Sequence, residues 1–185
     1  AQVFAEAGRS VLLVDRDAGR VAQLNRGESY IEDVPSDVLK RLVDDHGLRA
    51  TTDYGELADA DAILIALPTP LSKQREPDLS IVNGAAEEIA KRLRKGHLVV
   101  LEATTYPGTT REEILPRLEA SGLKVGEDFN LAFSPERVDP GREDWTTKNV
   151  PKVVGGINEA STEAAAALYG GAVDEVYRVS SPEAA

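Results

Sequence analysis

The chain has 185 residues, of which 42% are apolar, and its 32 acidic against 21 basic side chains give a formal net charge of −11. This length and apolar share suffice for one domain with a continuous core, while the negative charge and the lack of a basic stripe interleaved with aromatic residues argue against a nucleic-acid or anionic-membrane partner. With no cysteine and two histidines, the chain contains no disulfide, thiolate zinc site or histidine-rich metal site.

Short apolar runs alternate along the chain with segments of helical character. The runs typical of strands are 10–14, 48–51, 62–67, 97–101, 129–133, 152–154 and 175–179. Helices are predicted at 2–7, 21–27, 35–46, 54–60 and 81–93, from 109 onward, and at 160–169. The helix from 109 opens on a capping-box pattern that joins Thr109 to Glu112. This alternation predicts an α/β fold.

Strands that alternate with helices through short loops predict a parallel sheet that is wound with helices on both faces. The run at 62–67 is apolar throughout, so we expect that strand to be buried on both faces. Ligands of such sheets bind at the carboxyl ends of the strands. The polar or proline-containing segments that follow four strands should therefore converge on one edge: Asp15, 67–70, 102–107 and 134–137.

Asp15 ends the first of these strands, where an acid in a dinucleotide-binding fold accepts hydrogen bonds from the adenosine ribose hydroxyls. Such an acid repels the 2′-phosphate of NADP, whereas Arg16 beside it would attract that phosphate. Aspartate also ends many strands simply as a turn residue, and position alone favours neither interpretation. Arg20 either contacts the same ribose or is a solvated helix residue. Since the acid usually follows a glycine-rich loop by about 20 residues, we expect that loop just upstream of Ala1.

The other strand ends carry hydroxyl and carboxylate groups. Thr69 lies between two prolines, which either present its hydroxyl at the sheet edge or form a rigid surface turn. Thr104 and Thr105 precede a helix, where a hydroxyl can hold a water, a nicotinamide or a substrate oxygen. Glu136 is expected to be partly enclosed and is a candidate general base or water-orienting group. A purely structural pairing of Glu136 with Arg137 is an equally good interpretation.

Four separated motifs, in order, resemble the amino-terminal half of the nucleotide-sugar 6-dehydrogenase family, which includes UDP-glucose and UDP-N-acetylhexosamine 6-dehydrogenases. The motifs are VLLVDRDAGRVAQLNRGESYIEDVP, ADAILIALPTPL, LVVLEATTYPGTT and FSPERVDPG. In that family a Rossmann domain binds NAD, and the C6 alcohol of a UDP-sugar is oxidised twice to a carboxylate. The resemblance implies a Rossmann-like doubly wound, mainly parallel sheet, NAD as the cofactor and a UDP-sugar as the substrate.

The resemblance also implies roles for individual residues. Asp15 and Arg20 would hold the adenosine ribose of NAD, and Thr69 would line the cofactor cleft. Thr105 would lie by the nicotinamide and the reacting water, as both a cofactor-binding and a catalytic residue. Glu136 matches the family glutamate that assists thioester hydrolysis and contacts the sugar. The residue after it, Arg137, is expected to bind substrate.

Parts of the family pattern are missing from the chain. They are the first strand with its glycine-rich loop and the carboxyl-terminal half with the lysine, asparagine and nucleophilic cysteine. We therefore expect 1–185 to be a partial NAD-binding Rossmann domain, inactive by itself, without the central substrate and dimerisation helix and with two strand edges uncovered. Pro140 stands where the UDP-glucose branch often has a second glutamate, so the chain looks more similar to the N-acetylhexosamine branch.

Two other functions remain open at this point. One is a non-catalytic remnant that keeps the fold and binds no nucleotide. The other is an NAD(P)-linked 2- or 3-hydroxy-acid dehydrogenase, against which the Thr-Thr-Tyr-Pro-Gly and Ser-Pro-Glu-Arg loops argue. The leading function implies a homodimeric enzyme of polysaccharide biosynthesis. We expect a cytoplasmic location, because the longest apolar run, at 62–67, is far short of the ~20 residues that span a bilayer.

Overall fold

The computed structural model describes residues 1–31, 34–71, 77–137 and 146–185. They divide into two compact units. The first unit contains 1–54, the described part of 138–150, and 171–174, and the second contains 55–137, 151–170 and 175–185. Pro140, on which the sequence comparison of substrate branches relied, lies outside the described residues. No helix among the described residues is both long and apolar enough to cross a membrane.

The first unit is built from short helices and a two-stranded parallel sheet. Its elements are α1 (Gln2–Glu6), β1 (Leu12–Val14), α2 (Ala18–Asn25), α3 (Ser36–His46) and β2 (Arg49–Thr51). Leu13 of β1 lies opposite Ala50 of β2. Gly47 ends α3 with a φ of +65°, in the left-handed conformation that glycine adopts without a steric penalty. The chain can then turn directly into β2.

Apolar residues from several elements form the core of the first unit. Leu39 and Leu42 recur three positions apart on α3 and so lie on one face of that helix. In β2, buried Ala50 lies between exposed Arg49 and half-buried Thr51, the alternation expected of a strand that has one covered face. One cluster of buried residues comprises Ala5, Leu24, Leu39, Leu42, Leu48 and Ala50.

The second unit contains a five-stranded sheet with helical connections. Its elements are β3 (Ala62–Ile65), α4 (Ser80–Ala90), β4 (Leu98–Leu101), α5 (Leu115–Glu119), β5 (Asn130–Phe133), β6 (Lys152–Gly156), α6 (Glu159–Gly170) and β7 (Val176–Arg178). The strand order is β3-β4-β5-β6-β7, and only the β5–β6 pair among these described strands is antiparallel. The prediction of a mainly parallel α/β sheet is confirmed.

The prediction that the strand in 62–67 is buried on both faces is wrong for β3. Its residues alternate between half-buried and buried, whereas every residue of β4 is buried. The difference follows from sheet position, because β4 pairs on both sides while β3 pairs only with β4 among the described strands. In the other unit, the described part of the chain gives β1 a single pairing partner, β2. Four of the described strands, β1, β2, β3 and β7, thus pair on one side only, and the expectation that two of these edges are uncovered by a missing strand stays a prediction.

The capping box predicted at Thr109 does not form. Thr109 has helical backbone angles, φ −50° and ψ −42°, and its hydroxyl donates to the carbonyl oxygen of Tyr106 at 2.8 Å. A capping side chain instead requires an extended backbone at the cap residue. The segment continues as a π-helical turn over Thr110–Ile114 and then as α5.

His97, the residue before β4, has a structural role. It is fully buried, and its Nδ1 accepts the backbone N–H of Arg94 at 3.3 Å. Burial lowers the pKa of the imidazole, and the positive charge of Arg94 lowers it further. His97 is therefore held neutral inside the second unit.

Candidate functional site

The predicted ribose-binding residues lie at the carboxyl end of β1, in the first unit. Asp15 follows the last residue of β1, and its N–H donates to the carbonyl oxygen of Thr51 at 3.1 Å, which extends the parallel pairing by one residue. Its carboxylate Oδ1 accepts the N–H of Asp17 at 2.8 Å. The turn from strand to helix therefore fixes the direction of this carboxylate.

Arg20 lies in the first turn of α2, as predicted. Asp17 caps this helix by accepting the backbone N–H groups of Gly19 and Arg20, at 2.8 and 3.1 Å. The guanidinium Nη1 of Arg20 then lies 3.8 Å from Oδ2 of Asp15, with side chains that are 55% and 26% exposed. A partly exposed carboxylate and a cation thus lie side by side at the end of a parallel strand.

Tyr30 is a further residue of this region that the sequence reasoning missed. The guanidinium carbon of Arg20 lies 5.3 Å from the centre of the Tyr30 ring, within cation–π range. The tyrosine is 46% exposed. Because Tyr30 lies outside any regular element, no periodicity in the sequence relates it to Arg20.

Two of the predicted residues in the second unit come together at the carboxyl ends of neighbouring strands. Thr69 follows β3, and its hydroxyl donates to the carbonyl oxygen of Thr104, which follows β4, at 2.5 Å. Thr105, the next residue, is half-buried like Thr69. The hydrogen bond joins the two loops, so the expected convergence of these two strand ends is confirmed.

Glu136 and Arg137 follow β5 and are both exposed, so the expected enclosure of the Glu136 carboxylate is wrong for the described chain. Glu136 lies three residues past the end of β5. Its Oε1 accepts the backbone N–H of Arg137 at 2.7 Å. The guanidinium of Arg137 donates instead to the carbonyl oxygen of Pro151 at 3.2 Å. The two residues are thus linked through the backbone of Arg137.

A buried charged cluster lies beneath these loops, and the sequence reasoning did not single it out. Lys152, the first residue of β6, forms an ion pair with Glu102, which directly follows β4. The Lys152 ammonium lies 5.2 Å from the centre of the Tyr169 ring, on α6. The sequence signal for this cluster was a lysine at the start of an apolar run. That signal is weak, because a lysine at a strand start usually extends its ammonium into solvent.

Burial is the main cause of a raised pKa at Tyr169. The phenol is 2% exposed, and its pKa lies well above the usual value, with the Glu102 carboxylate as the second cause. Tyr169 therefore stays protonated at neutral pH. Among the described residues, no group of three or more histidine, aspartate or glutamate side chains is placed to hold a metal ion.

Residues 1–173 match the family model described as the NAD binding domain of the UDP-glucose/GDP-mannose dehydrogenase family. The UDP-N-acetyl-D-glucosamine 6-dehydrogenase of Pseudomonas aeruginosa is 35% identical over 162 residues, which cover 87% of this chain and 38% of that protein. The UDP-N-acetyl-D-mannosamine dehydrogenase of Escherichia coli K12 is 39% identical over 178 residues, which cover 91% of this chain and 41% of that protein. The chain thus spans about two fifths of the length of these curated relatives.

Solved structures give the same family. The NDP-N-acetyl-D-galactosaminuronic acid dehydrogenase of Methanosarcina mazei aligns with a TM-score of 0.90 and 34% identity, over 99% of this chain and 42% of that one. A ternary complex of GDP-mannose dehydrogenase from Pseudomonas aeruginosa aligns with a TM-score of 0.88 and 25% identity, over 100% of this chain and 44% of that one. The predictions of a Rossmann-type fold and of NAD as the family's cofactor are confirmed. The chain belongs to the UDP-glucose/GDP-mannose dehydrogenase family and matches its NAD-binding domain.

Proposed function

We propose that this chain is the NAD-binding part of an enzyme that oxidises the C6 alcohol of a UDP-sugar to the carboxylate. The observation that carries the proposal is the Asp15 carboxylate at the carboxyl end of β1, with Arg20 3.8 Å away. This is the strand end at which an acid receives the ribose of a dinucleotide in such folds. Without the remaining family parts, the chain alone is proposed to be inactive.

The Asp15 side chain suits the adenosine ribose of NAD. One carboxylate oxygen, Oδ1, is used by the N–H of Asp17, and Oδ2 faces the Arg20 guanidinium at a distance too long for a tight hydrogen bond. Two vicinal hydroxyls can donate to such a carboxylate, which is 26% exposed. The same negative charge disfavours the 2′-phosphate of NADP, so we propose NAD specificity despite Arg16.

The remaining proposed site residues lie in the second unit. NAD, when bound, accepts a hydride from the alcohol carbon. Thr69 and Thr105, on loops joined by the Thr69 to Thr104 hydrogen bond, are proposed to line the cofactor cleft, with Thr105 holding a water or a substrate oxygen. The exposed Glu136 carboxylate is proposed to orient water for hydrolysis and to contact the sugar with Arg137.

We propose a UDP-N-acetylhexosamine as the substrate. The relatives named for UDP-N-acetyl-D-glucosamine and UDP-N-acetyl-D-mannosamine support this class, since they cover 87% and 91% of the chain. A cytoplasmic, homodimeric enzyme of polysaccharide biosynthesis completes the proposal. Light scattering on the full-length protein tests the dimer, and mass spectrometry of the reaction product with each UDP-sugar tests the substrate.

Asp15→Ala in the full-length protein tests the ribose-binding role. Loss of charge-assisted hydrogen bonds worth about 1.5–3 kcal/mol should raise the Kd for NAD about 10- to 150-fold. Isothermal titration calorimetry measures this Kd, and Asp37→Ala, an exposed acid in the first turn of α3, is the matched control. Unchanged NAD affinity in Asp15→Ala would refute the assignment, and a wild-type protein that binds no NAD would favour a non-catalytic remnant.

A further inference from the structure

The buried ion pair between Lys152 and Glu102 is an uncommon feature of the second unit. Its side chains are only 4% and 14% exposed. The aromatic ring of Tyr169 lies against the ammonium, with 5.2 Å between Nζ and the ring centre. Ser134, the residue directly after β5, is also fully buried. Three strands and one helix therefore meet around one enclosed charge pair.

Such a pair is not explained by stability alone. Taking an ammonium and a carboxylate out of water costs several kcal/mol per ion, and their attraction in the interior does little more than offset that cost. Well-packed apolar side chains of similar volume would be as stable or more stable at the same place. The presence of the ion pair is therefore better explained by the segments of the chain that it positions.

The ammonium of Lys152 connects the two loops that carry proposed reacting groups. Besides the Glu102 carboxylate, Nζ donates to the carbonyl oxygen of Pro135 at 3.4 Å, one residue before Glu136. Glu102 itself lies three residues before Thr105 along the loop that follows β4. A single cation thus joins the loop after β4 to the loop after β5.

Two additional contacts tie the same loops to the scaffold. The Arg137 guanidinium donates to the carbonyl oxygen of Pro151, the residue before Lys152, at 3.2 Å. On the other side, the Thr69 hydroxyl holds the carbonyl oxygen of Thr104 at 2.5 Å. The loop after β4 is therefore held by two contacts, the ion pair with Lys152 and the hydrogen bond from the loop after β3.

We propose that the Lys152–Glu102 pair is a positioning device that holds the loops of Thr105 and Glu136 in register for the reaction. This inference rests on the proposed function. Neither residue of the pair is assigned contact with substrate or cofactor, because both are enclosed by the sheet and by α6. Their effect reaches the chemistry through the two loops. Errors of about 1 Å in the placement of reacting groups lower the rate by up to ~10²-fold, so small shifts of the two loops would change kcat.

The test uses the full-length enzyme and compensated variants. Lys152→Met or Glu102→Gln alone leaves one buried charge without its partner, so either can simply unfold the protein. The double variant Lys152→Met/Glu102→Leu removes both charges and retains apolar volume. Lys152→Arg, which keeps the cation, is the conservative variant. Arg178→Met/Glu163→Leu is the matched control, since this ion pair is 51% and 56% exposed and joins β7 to α6 in the same unit.

The double variant should keep the wild-type unfolding midpoint or exceed it and should keep the Kd for NAD within about twofold. Its kcat should fall about tenfold or more, and amide exchange at Thr105 and Glu136 should become faster. Lys152→Arg, which keeps the positive charge, should retain most of the wild-type kcat. The control pair should leave kcat unchanged.

Several outcomes overturn the inference. Wild-type kcat in the double variant means that the loops need no such tether. Parallel loss of kcat, NAD binding and unfolding midpoint means that the pair serves only the fold. If the wild-type enzyme oxidises no UDP-sugar, the proposed function fails and the positioning role fails with it. An active wild type together with an active double variant overturns the positioning role alone.

Discussion

Asn25 offers a sharp test of how the first unit is held together. This residue is the last of α2, and its side-chain amide forms two hydrogen bonds with the backbone of β2. Its Nδ2 donates to the carbonyl oxygen of Ala50 at 2.9 Å, and its Oδ1 accepts the N–H of Ala50 at 2.7 Å. Asn25→Ala removes both hydrogen bonds at once.

The expected cost can be worked from those two bonds. Each neutral hydrogen bond contributes about 0.5–1.5 kcal/mol net, so the substitution should weaken the local structure by about 1–3 kcal/mol. Ala50 is 7% exposed, which keeps its backbone groups short of water and favours the upper part of the range. When reclosing is much faster than chemical exchange, the exchange rate is proportional to the equilibrium constant of local opening. The amide of Ala50 should then exchange about 5- to 150-fold faster in Asn25→Ala than in the wild type.

Native-state hydrogen exchange followed by NMR measures this directly, because the Ala50 amide is itself the donor to Asn25. Asn25→Asp keeps an acceptor for that amide and loses the donor to the carbonyl, so its effect should lie between the wild type and Asn25→Ala. Gln23→Ala, an exposed position of α2, is the control. An exchange rate at Ala50 in Asn25→Ala within about twofold of wild type would show that the two hydrogen bonds do not stabilise this part of the unit.

Three further predictions address other parts of the chain. Glu136→Gln in the full-length enzyme should lower kcat by about 10²-fold or more while the Kd for NAD stays within about twofold, and equal wild-type turnover in steady-state assays would exclude its role. Gly156→Ala should destabilise the protein by about 1–3 kcal/mol in urea titrations, because the added methyl group meets the backbone N of Thr162. Gly84→Ala, where the methyl group meets open space on α4, should instead be neutral or stabilising by up to about 1 kcal/mol, and equal effects at both glycines would contradict the steric argument. Burial holds the pKa of His97 below that of the unfolded chain, so its contribution to stability is present above the unfolded pKa and is lost as pH falls through the folded pKa. Urea midpoints at pH 7 and 5 should therefore differ more in wild type than in His97→Asn, and an identical pH dependence would show that His97 is not responsible.

The sequence by itself determined the features that depend on neighbouring residues. Apolar runs bounded by turn residues located the strands, and Asp15 could be placed at a strand end because β1 lies in a local apolar run that stops at this residue. The convergence of Thr69 and Thr104 was predictable for a general reason. The carboxyl ends of adjacent parallel strands share one edge of a sheet, whatever the side chains.

Only the tertiary structure decided features that depend on distant partners. The burial of Lys152 depends on Glu102, 50 positions away, and on Tyr169 of α6, so no local pattern distinguishes it from a solvated lysine. The exposure of Glu136 and the greater burial of β4 than β3 likewise depend on which elements cover them. Hydrophobic periodicity predicts which residues can be buried. Desolvation of a charge is tolerated only where the folded chain supplies its partner, and that partner is a property of the assembled structure.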